Sequence, residues 1–427
     1  MQKPVVIVGG GLAGLACARA LQDAGVPFLL FEATDRVGGR VKTDVVEGFR
    51  LDRGFQVHFS AYPYAGKVLD EKALKFRKFE AGAMIYHDGK LNKLQQPTSL
   101  GGMIEMVRSP FLSLFDKLKL RRWNTEVEGM SVAMIRGLRE ITAEKHLRNL
   151  GFSDDFLDRF ARPFFGGVFL DRSLQVSKRQ FTFVWKMLVD GDTVLPELGM
   201  EEIPKQLAAD LPQYLVREYS RVEEILKDSA GRASGVRLDT NEVFEASAVI
   251  VATDSHSAAE LTGIPTPIEG KHSICLYFET ATPCVDGGAF LVLNGTGQGI
   301  VNEVAPLSSV SSAYAPANKH LCSVTILGEH SESDEELAEI AKKELTEWFP
   351  TKGVYMWRFI RAYRIRNAQM TQEPGFGTKL PKIETDVPGL FLAGEFTTNS
   401  SLDGAIESGL KAAGKVIAGL PELTAVS

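Results

Sequence analysis

The feature that most constrains this chain is a glycine-rich turn between two short apolar segments at its N-terminus. Val5–Val8 is a β-branched run of the kind that forms a buried parallel strand, and the turn GGGLAG follows it directly. Leu15 to Ala24 is rich in alanine and predicts a helix, and Val26 to Phe31 predicts a second strand that ends at Glu32. This order predicts a strand–helix–strand unit with parallel strands.

The spacing of the glycines predicts that this unit binds a ligand. Gly9 permits a tight turn, Gly11 lets the backbone approach a pyrophosphate, and Gly14 lets the helix pack closely on the strand. The N–H groups at the start of the helix can bind phosphate oxygens, and the carboxylate of Glu32 can accept hydrogen bonds from the ribose hydroxyls. We therefore predict a dinucleotide site that includes Gly9, Gly11, Leu12, Ala13, Gly14 and Glu32.

Composition and charge are those of an ordinary globular protein. The 427 residues are 44% hydrophobic and 24% charged, and the net charge of −6 gives no reason to expect a nucleic-acid partner. The four cysteines are scattered without CxxC or metal-ligand spacing, which indicates reduced thiols and no metal site. The first strand begins near Pro4 and no apolar run reaches the length of a membrane-spanning helix, so we expect no signal peptide and a cytoplasmic protein.

The order of strand-like and helical segments predicts a domain that is split along the sequence. Residues 1–75, 200–262 and 380–427 carry strand patterns that fit one nucleotide-binding domain. Residues 76–199 and 263–379 fit a substrate-binding domain, with a helical part at about residues 90–190. The predicted fold class is therefore α/β, with a Rossmann-like domain and an interleaved α+β substrate domain.

A second motif follows the acid directly. In residues 35–40 (DRVGGR), Gly38 and Gly39 let the chain pass close to a bulky ligand, and Arg36 and Arg40 can neutralise phosphate charge. GxGxxG, the acid and the DRVGGR run together resemble the superfamily of FAD-binding amine oxidases, phytoene desaturases and protoporphyrinogen oxidases. The resemblance implies a flavoenzyme whose Rossmann-like FAD-binding domain is of the GR2 type.

The C-terminal region also resembles this superfamily. Residues 389–395 (GLFLAGE) and 401–409 (SLDGAIESG) look like its closing motif, in which a strand ends near the FAD pyrophosphate and ribityl chain and a helix starts under the flavin. Monoamine oxidases have a cysteine near this motif for covalent attachment, whereas residues 397–403 contain none, so we expect noncovalent FAD. The resemblance implies FAD contacts at Gly394, Glu395, Asp403, Gly404 and Ala405.

Three further segments match the superfamily more loosely. Val222 lies where the backbone of a valine usually meets the adenine, and Thr253 ends a strand that passes near the cofactor. Gly54 lies in a segment that runs alongside the isoalloxazine ring in these proteins. We expect flavin N5 to be the reactive centre, with no catalytic side chain assigned and with candidates lining it at Phe55, Gln56 and Gln369.

The segments expected to face the substrate favour an apolar substrate. The segment GEFTTNSSLDGAIESG resembles the closing motif of plant-type phytoene desaturases, and an aromatic-rich region can line an apolar cavity, at residues 162–169 with Phe181, Phe183 and Trp185. Residues 295–299 are followed by a strand-like run and predict a hairpin turn rather than a nicotinamide site. We therefore predict an FAD-dependent oxidoreductase that removes a hydride from an apolar substrate and passes the electrons to dioxygen or a quinone-type acceptor.

Other functions stay open at this point. An amine oxidase that yields an imine and hydrogen peroxide, or a polyene isomerase that uses reduced FAD, would share the scaffold. A non-catalytic prenyl- or lipid-binding protein, such as the Rab GDP-dissociation inhibitors, would not need the full phosphate and ribose set. Residues 100–123 mix apolar and basic side chains, which predicts either peripheral membrane contact or a lid over the domain. We expect a small-molecule substrate, and the oligomeric state is open.

Overall fold

The computed structural model describes residues 3–95, 112–267 and 269–419. At its centre lies a five-stranded parallel sheet whose strands come from distant parts of the chain. Val5–Val8 and Ala248–Val251 are buried along their whole length because both faces of the sheet are covered. The prediction of an α/β fold is confirmed. The strands lie in the order Val216–Arg217, Phe28–Phe31, Val5–Val8, Ala248–Val251 and Leu390–Leu392.

Two helices cover one face of this sheet and lie against each other. The first is Leu12–Asp23, which begins at Leu12 rather than at the predicted Leu15, and the last is Leu402–Gly419. The two helices approach closely because Gly409 has no side chain, and a Cβ at that position would overlap with the carbonyl oxygen of Ala13. This contact holds the two ends of the chain on the same side of the sheet.

A three-stranded antiparallel sheet covers the other face. Its strands are Val222–Lys227, Ala233–Leu238 and Val243–Glu245. Val6 and Val8 of the parallel sheet belong to the same apolar cluster as this small sheet, since alternate side chains of a strand point to opposite faces. The result is a domain of three layers, with helices, parallel sheet and antiparallel sheet.

A seven-stranded sheet forms the largest part of the rest of the protein. Neighbouring strands are antiparallel except for Leu291–Asn294, which runs parallel to Gly82–His87. The glycine-containing turn at residues 295–299 connects two antiparallel strands, so the predicted hairpin is confirmed. The strand order is Arg358–Met370, Gly270–Thr280, His320–Leu327, Val301–Ala305, Leu291–Asn294, Gly82–His87 and Lys90–Gln95.

The helix Asp334–Trp348 packs on one face of this sheet. A capping box starts this helix, because the Ser333 side chain accepts from the backbone N–H of Glu336 and the Glu336 side chain accepts from that of Ser333. Ile340 lies outside the buried face of the helix and is 41% exposed. A 3-10 turn at Val354–Met356 follows, and it precedes the strand Arg358–Met370.

A helical region follows the strand Lys90–Gln95 in sequence. Its core is aromatic, with Trp123, Phe156, Phe165 and Phe181 all essentially buried. The strand Lys90–Gln95 shows that this helical region does not begin at residue 90. The helices are Leu114–Glu128, Val132–Arg136, Ala143–Asn149, Asp154–Phe156, Arg162–Phe169 and Lys178–Asp190, with a π-helical turn at Leu157–Ala161.

Short elements complete the fold. Within the part of the chain that the structure describes, every helix is too short or too polar to cross a bilayer. The remaining strands are Thr43–Val46, Phe49–Asp52, His58–Phe59, Arg77–Lys78 and Thr193–Leu195. The remaining helices are Ala65–Val68, Glu71–Leu74, Glu202–Ala209, Ser255–Thr262 and Leu307–Val310.

Candidate functional site

One large cavity, of about 1770 Å³, runs from the glycine-rich turn to the helical region. At one end its wall contains Gly9, Gly11 and Glu32, and at the other end it contains Phe160 and Trp185. This volume exceeds the roughly 300–1,000 Å³ of an ordinary small-ligand pocket. The cavity therefore has room for a dinucleotide-sized molecule together with a second one.

The glycine-rich turn leaves an open space where the first helix begins. Gly9 has a φ of +108°, and a Cβ there would lie 2.8 Å from the carbonyl oxygen of Ala252. A Cβ on Gly14 would overlap with the carbonyl oxygen of Gly9, so Gly14 lies behind the turn and does not line the cavity. A Cβ on Gly11, by contrast, would meet nothing within 4 Å. Because Gly11 is also the helix N-cap and has no side chain, the first N–H groups are left for an outside acceptor.

Glu32 lies at the end of the second strand with its carboxylate in the cavity wall. The side chain is 7% exposed, and its Oε2 accepts a hydrogen bond from the Gly10 N–H at 2.8 Å. Oε1 accepts from the backbone N–H of Thr34 at 2.9 Å and from its hydroxyl at 2.6 Å. These donors hold the carboxylate in one orientation at the edge of the cavity.

Arg40 and Glu395 form an ion pair that also lines the cavity. The Arg40 Nη2 lies 2.6 Å from Glu395 Oε1, and Arg40 Nη1 donates to the Ala368 carbonyl oxygen at 3.1 Å. The neighbouring Glu395 carboxylate raises the pKa of the guanidinium. Glu395 Oε2 accepts from the Ser400 hydroxyl at 2.6 Å. The pair joins the DRVGGR run to the strand end at Gly394, and both glycines of that run, Gly38 and Gly39, line the same cavity.

Arg36 has different surroundings from Arg40. Its guanidinium Nε donates to Glu201 at 2.5 Å, Nη1 to Asp35 at 2.9 Å and Nη2 to Asp44 at 3.0 Å. Arg36 is absent from the residues that line the cavity. Its three donor nitrogens face carboxylates of the protein itself, which the spacing in the sequence did not reveal.

Asp403 and Gly404 also lie outside the cavity wall, whereas Ala405 lines it. Asp403 Oδ1 accepts from the backbone N–H groups of Tyr64 and Ala65, each at 2.8 Å, and so caps the short helix Ala65–Val68. Burial raises the pKa of this carboxyl to about 6. A Cβ on Gly404 would overlap with the carbonyl oxygen of Asn399, so this glycine allows a tight turn into the last helix.

The remaining predicted positions all line the same cavity, at Gly54, Phe55, Gln56, Val222, Thr253 and Gln369. A Cβ on Gly54 would lie 3.0 Å from Ile365 Cδ1. Gln56 donates to the Arg40 carbonyl oxygen at 3.2 Å, and Gln369 donates to the Val168 carbonyl oxygen at 2.6 Å. Both amides are therefore oriented by backbone groups of neighbouring segments.

Aromatic side chains dominate the far end of the cavity. Phe165 stacks on Trp185 with their ring centroids 5.2 Å apart, and Phe164 contacts Phe165 edge to face at 5.0 Å. The predicted aromatic-rich region thus divides between cavity wall and core, because Phe181 is buried without lining the cavity. The aromatic residues of the wall are Phe55, Phe59, Tyr62, Phe79, Phe160, Phe164, Phe165, Phe169 and Trp185, with Phe31 and Phe396 at the cofactor end.

One acidic residue of this wall was not among the predicted site residues. Glu303 lies in the buried strand Val301–Ala305, is 4% exposed and lines the cavity. Burial raises the pKa of its carboxyl to about 7, against the lowering effect of the neighbouring Thr325 hydroxyl and Asn302 amide. A single acid inside an otherwise uncharged strand (VNEVA) is the signal that would have identified it.

Metal binding has no basis in the described residues. Nowhere in 3–95, 112–267 and 269–419 do three His, Cys, Asp or Glu side chains come together in a way that could hold a metal ion.

A comparison with known protein families identifies the family of this chain. The family described as flavin containing amine oxidoreductase matches residues 12–417. The chain belongs to this family. It is therefore a flavin-dependent oxidoreductase, and the predicted enzyme class and the predicted FAD cofactor are confirmed.

Curated relatives of this flavin oxidoreductase include both desaturases and oxidases. The 15-cis-phytoene desaturase of Capsicum annuum is 22% identical over 460 residues, which cover 95% of this chain and 76% of that protein. Polyamine oxidase 2 of Arabidopsis thaliana is 48% identical over 50 residues, only 12% of this chain and 10% of that protein. Protoporphyrinogen oxidase 2 of Arabidopsis thaliana is 28% identical over 194 residues, 43% of this chain and 36% of that protein.

Solved structures of the same fold cover the chain almost completely. A putative protoporphyrinogen oxidase from Exiguobacterium sp. 255-15 superposes with a TM-score of 0.75 at 18% identity, over 98% of this chain and 100% of the other. Putrescine oxidase bound to putrescine superposes with a TM-score of 0.71 at 19% identity, over 98% and 99%. These similarities establish the fold of the flavin oxidoreductase and leave its substrate undecided.

The cavity fits the FAD that the family implies. The empty space in front of Gly11 and the uncapped start of the first helix suit an anionic pyrophosphate. The buried Glu32 carboxylate suits a ribose, and the Arg40 guanidinium suits a phosphate or the carbonyl edge of a ring.

Proposed function

We propose that FAD lies along the cavity with its adenosine half at Glu32 and its ring toward Gly54. The observation that supports this placement is that one continuous cavity contains both segments. Arg36, Asp403, Gly14 and Gly404 support the surrounding backbone and do not contact the cofactor. The proposed contacts are Gly9, Gly11, Leu12, Ala13, Glu32, Gly38, Gly39, Arg40, Gly54, Val222, Thr253, Gly394, Glu395 and Ala405.

We further propose that the protein removes a hydride from a largely apolar small molecule. The observation that carries this proposal is the aromatic wall that continues the cavity beyond Gly54. Such a wall binds hydrocarbon surface and excludes water. Electrons then pass to dioxygen or a quinone-type acceptor, since no second nucleotide-binding turn was found in the sequence.

The residues of the chain act here by positioning. When bound, FAD supplies a hydride acceptor at N5. Gly54 and Ile365 both line the cavity, and the missing side chain of Gly54 lets Ile365 pack against this part of the wall. Gln369 is held by the carbonyl oxygen of Val168, so its amide carbonyl keeps a constant direction in the cavity. Phe164, Phe165 and their neighbours keep water away from the reacting carbon.

Amine oxidation is the second candidate function. The specific observation in its favour is the buried carboxylate of Glu303 in the cavity wall, a hydrogen-bond acceptor that can bind the N–H groups of an amine. Membership in an oxidoreductase family argues against a non-catalytic lipid-binding role. Isomerisation of a polyene by reduced FAD is distinguished by the experiment below.

Contact with a membrane surface is proposed for the helix Leu114–Glu128. Leu114, Phe115 and Leu118 are 55%, 74% and 57% exposed, and Leu114 and Leu118 also line the cavity. An apolar molecule could pass from a bilayer into the cavity at this point. Residues 100–111 of the predicted contact segment lie outside the described residues. A cytoplasmic protein bound peripherally to a membrane fits this proposal.

Anaerobic mixing of the FAD-loaded protein with a panel of substrates tests the proposed function. The panel contains 15-cis-phytoene, protoporphyrinogen and putrescine, and the flavin absorbance near its visible maximum is followed. Bleaching by phytoene or protoporphyrinogen supports oxidation of an apolar molecule, whereas bleaching by putrescine alone supports amine oxidation. A change in the polyene spectrum that occurs only with pre-reduced flavin supports isomerisation. A protein that binds no FAD would overturn all three.

A further inference from the structure

Glu303 is a buried acid that the proposed positioning of FAD does not use. Its carboxylate is pressed against the helix Arg162–Phe169, where a Cβ on Gly167 would overlap with Oε2. Gly167 is the second glycine of the PFFGGVF motif, and its missing side chain makes the space that the carboxylate fills. Asn302 bridges the same helix and the acid, since its amide Nδ2 lies 3.1 Å from the Pro163 carbonyl oxygen and 3.2 Å from Glu303 Oε2.

Strand pairing on one side and a helix contact on the other connect Glu303 with the segments near the proposed flavin ring. In the seven-stranded sheet, Glu303 pairs with Thr325 and Thr325 pairs with Cys275. Two strand spacings separate Glu303 from Cys275, about 10 Å, and Cys275 contacts the backbone of Phe55. On the helix side, Gly167 is followed by Val168, whose carbonyl oxygen accepts from Gln369. The acid therefore lines the cavity near the segments of Phe55 and Gln369, which are the candidates for facing the flavin ring.

The groups around this carboxylate are neutral. The Thr325 hydroxyl and the Asn302 amide are the neighbours that lower its pKa, and burial outweighs them. The Cys275 thiol lies two strands away in the same sheet. Burial raises the pKa of this thiol to about 12, so it stays protonated at neutral pH. On the adjacent helix, Arg162 is bound to Glu144 at 2.7 Å, and beyond the end of that helix Arg172 donates to the Asn294 carbonyl oxygen at 3.0 Å. A carboxylate without a cation beside it is a good proton acceptor.

We propose that Glu303 is a catalytic residue that takes up the proton released by the substrate; this inference rests on the proposed function. One C–H bond of the substrate breaks and its hydrogen leaves with the electron pair to the cofactor, which is thereby reduced. The adjacent C–H or N–H bond then leaves its electron pair behind to form the new double bond. Its proton goes to the Glu303 carboxylate, which becomes a carboxylic acid. The substrate is oxidised by two electrons, and the same step serves a C–C or a C–N bond.

The first test follows flavin bleaching in the Glu303→Gln variant with the panel compound that bleaches the wild-type protein. Glutamine keeps the shape of the side chain but does not accept a proton. We expect bleaching to be slower by about 10²- to 10⁴-fold, while FAD content and the half-saturating substrate concentration change little. The wild-type rate should fall as pH drops below neutrality, and the variant should lack that inflection. Bleaching at the wild-type rate with the same pH profile would overturn the proposal.

Two further variants separate a chemical role from a structural one. Glu303→Asp keeps the acid on a shorter side chain and should recover part of the lost rate. Gly167→Ala leaves Glu303 in place but displaces its carboxylate, and should also slow bleaching. Gly414→Ala is the matched control, because a Cβ there meets nothing within 4 Å, and it should bleach at the wild-type rate.

An infrared difference spectrum gives a readout that does not depend on rate. The spectrum of the substrate-bleached protein minus that of the oxidised protein should gain a carboxylic acid C=O band. The band should be absent in Glu303→Gln and shifted in Glu303→Asp. A band that persists in Glu303→Gln would assign the proton to another group and overturn the proposal. If no panel compound bleaches the FAD-loaded protein, the proposed function fails. In that case a carboxylic acid band that titrates near neutral pH and is lost in Glu303→Gln would still show that Glu303 exchanges a proton in this range.

Discussion

The Arg40 guanidinium lies 2.6 Å from the Glu395 carboxylate, so a salt bridge joins an N-terminal and a C-terminal segment of the cavity wall. Arg40 also donates to the backbone carbonyl oxygens of Asn367 and Ala368, which belong to the long edge strand of the large sheet. Three separate segments of the chain therefore meet at one guanidinium.

Replacement of Arg40 by Gln should weaken FAD binding at least about tenfold, because a charge-assisted contact is lost at the point where the three segments meet. FAD titration into the apoprotein, followed by quenching of flavin fluorescence, measures the change. Arg148→Gln is the control, since Arg148 pairs with Glu144 and Asp154 away from the cavity. Equal affinities of the two variants would contradict the assignment of Arg40.

Glu32→Gln should lower FAD affinity by about 10- to 100-fold. Glu32 accepts from the Gly10 and Thr34 N–H groups with different oxygens, and the NH₂ group of glutamine would face one of these donors. The flavin absorbance per protein after gel filtration measures retention. Glu339→Gln, at an exposed position on the helix Asp334–Trp348, should retain flavin like the wild type. If Glu32→Gln also retains flavin like the wild type, the assignment of Glu32 to the ribose is wrong.

Two glycines of the last helix should respond oppositely to alanine. Gly409→Ala places a Cβ into the carbonyl oxygen of Ala13, so we expect a loss of about 1–3 kcal/mol in the free energy of unfolding. Gly414→Ala adds a Cβ into open space on the same helix and should stabilise by about 0.5–1 kcal/mol. Urea unfolding of both variants measures the difference. A neutral Gly409→Ala would show that the two helices are not packed as closely as described.

The stability of Glu303→Gln relative to the wild type should rise with pH. The pKa of Glu303 is raised from 4.5 to about 7 in the folded protein. Between these values the folded wild type holds a proton that the unfolded chain has released, so its stability falls as pH increases. The full difference is on the order of 3 kcal/mol and is reached above pH 7. Thermal unfolding of both proteins at pH 5 and pH 8 measures it, and a gap that does not widen with pH speaks against a buried acid with a raised pKa.

Serine at Leu114, Phe115 and Leu118 together should reduce binding to lipid vesicles, because the exposed apolar surface of the helix is removed. Co-sedimentation with vesicles of mixed neutral and anionic lipids measures binding. Serine at Tyr355 and Met356, which are 73% and 65% exposed elsewhere on the surface, is the matched control. If the two variants bind vesicles equally, the helix is a lid of its own domain rather than a membrane contact.

Much of the cofactor half could be read from local sequence. The turn from Gly9 to Gly14 and the acid at Glu32 depend on residues that are close in sequence, and their backbone requirements are met only by particular residue types. The strands Val5–Val8 and Ala248–Val251 are apolar throughout because both faces are covered. A local pattern of this kind is sufficient to predict a parallel sheet and a dinucleotide.

The surroundings of individual side chains depended on tertiary structure. Arg36 and Arg40 are the same residue type in one short motif, yet Arg36 faces Glu201, Asp35 and Asp44 while Arg40 faces the cavity. Asp35 and Asp44 are close to Arg36 in sequence, but Glu201 comes from a segment that folds against the motif from far away, as Glu395 does for Arg40. No spacing rule contains that information.

The sequence by itself determined an α/β fold with a dinucleotide site, because the glycine-rich turn and its strands are local structures with local signals. The DRVGGR run and the C-terminal motif added the resemblance to flavoproteins. Only the tertiary structure showed that Gly167 and Glu303 meet, since a helix and a strand from different parts of the chain must pack before the missing side chain of one makes space for the carboxylate of the other. The glycine-rich turn is shaped by backbone geometry that a short motif encodes. The substrate cavity is formed by side chains from many segments, and their arrangement exists only after the chain has folded.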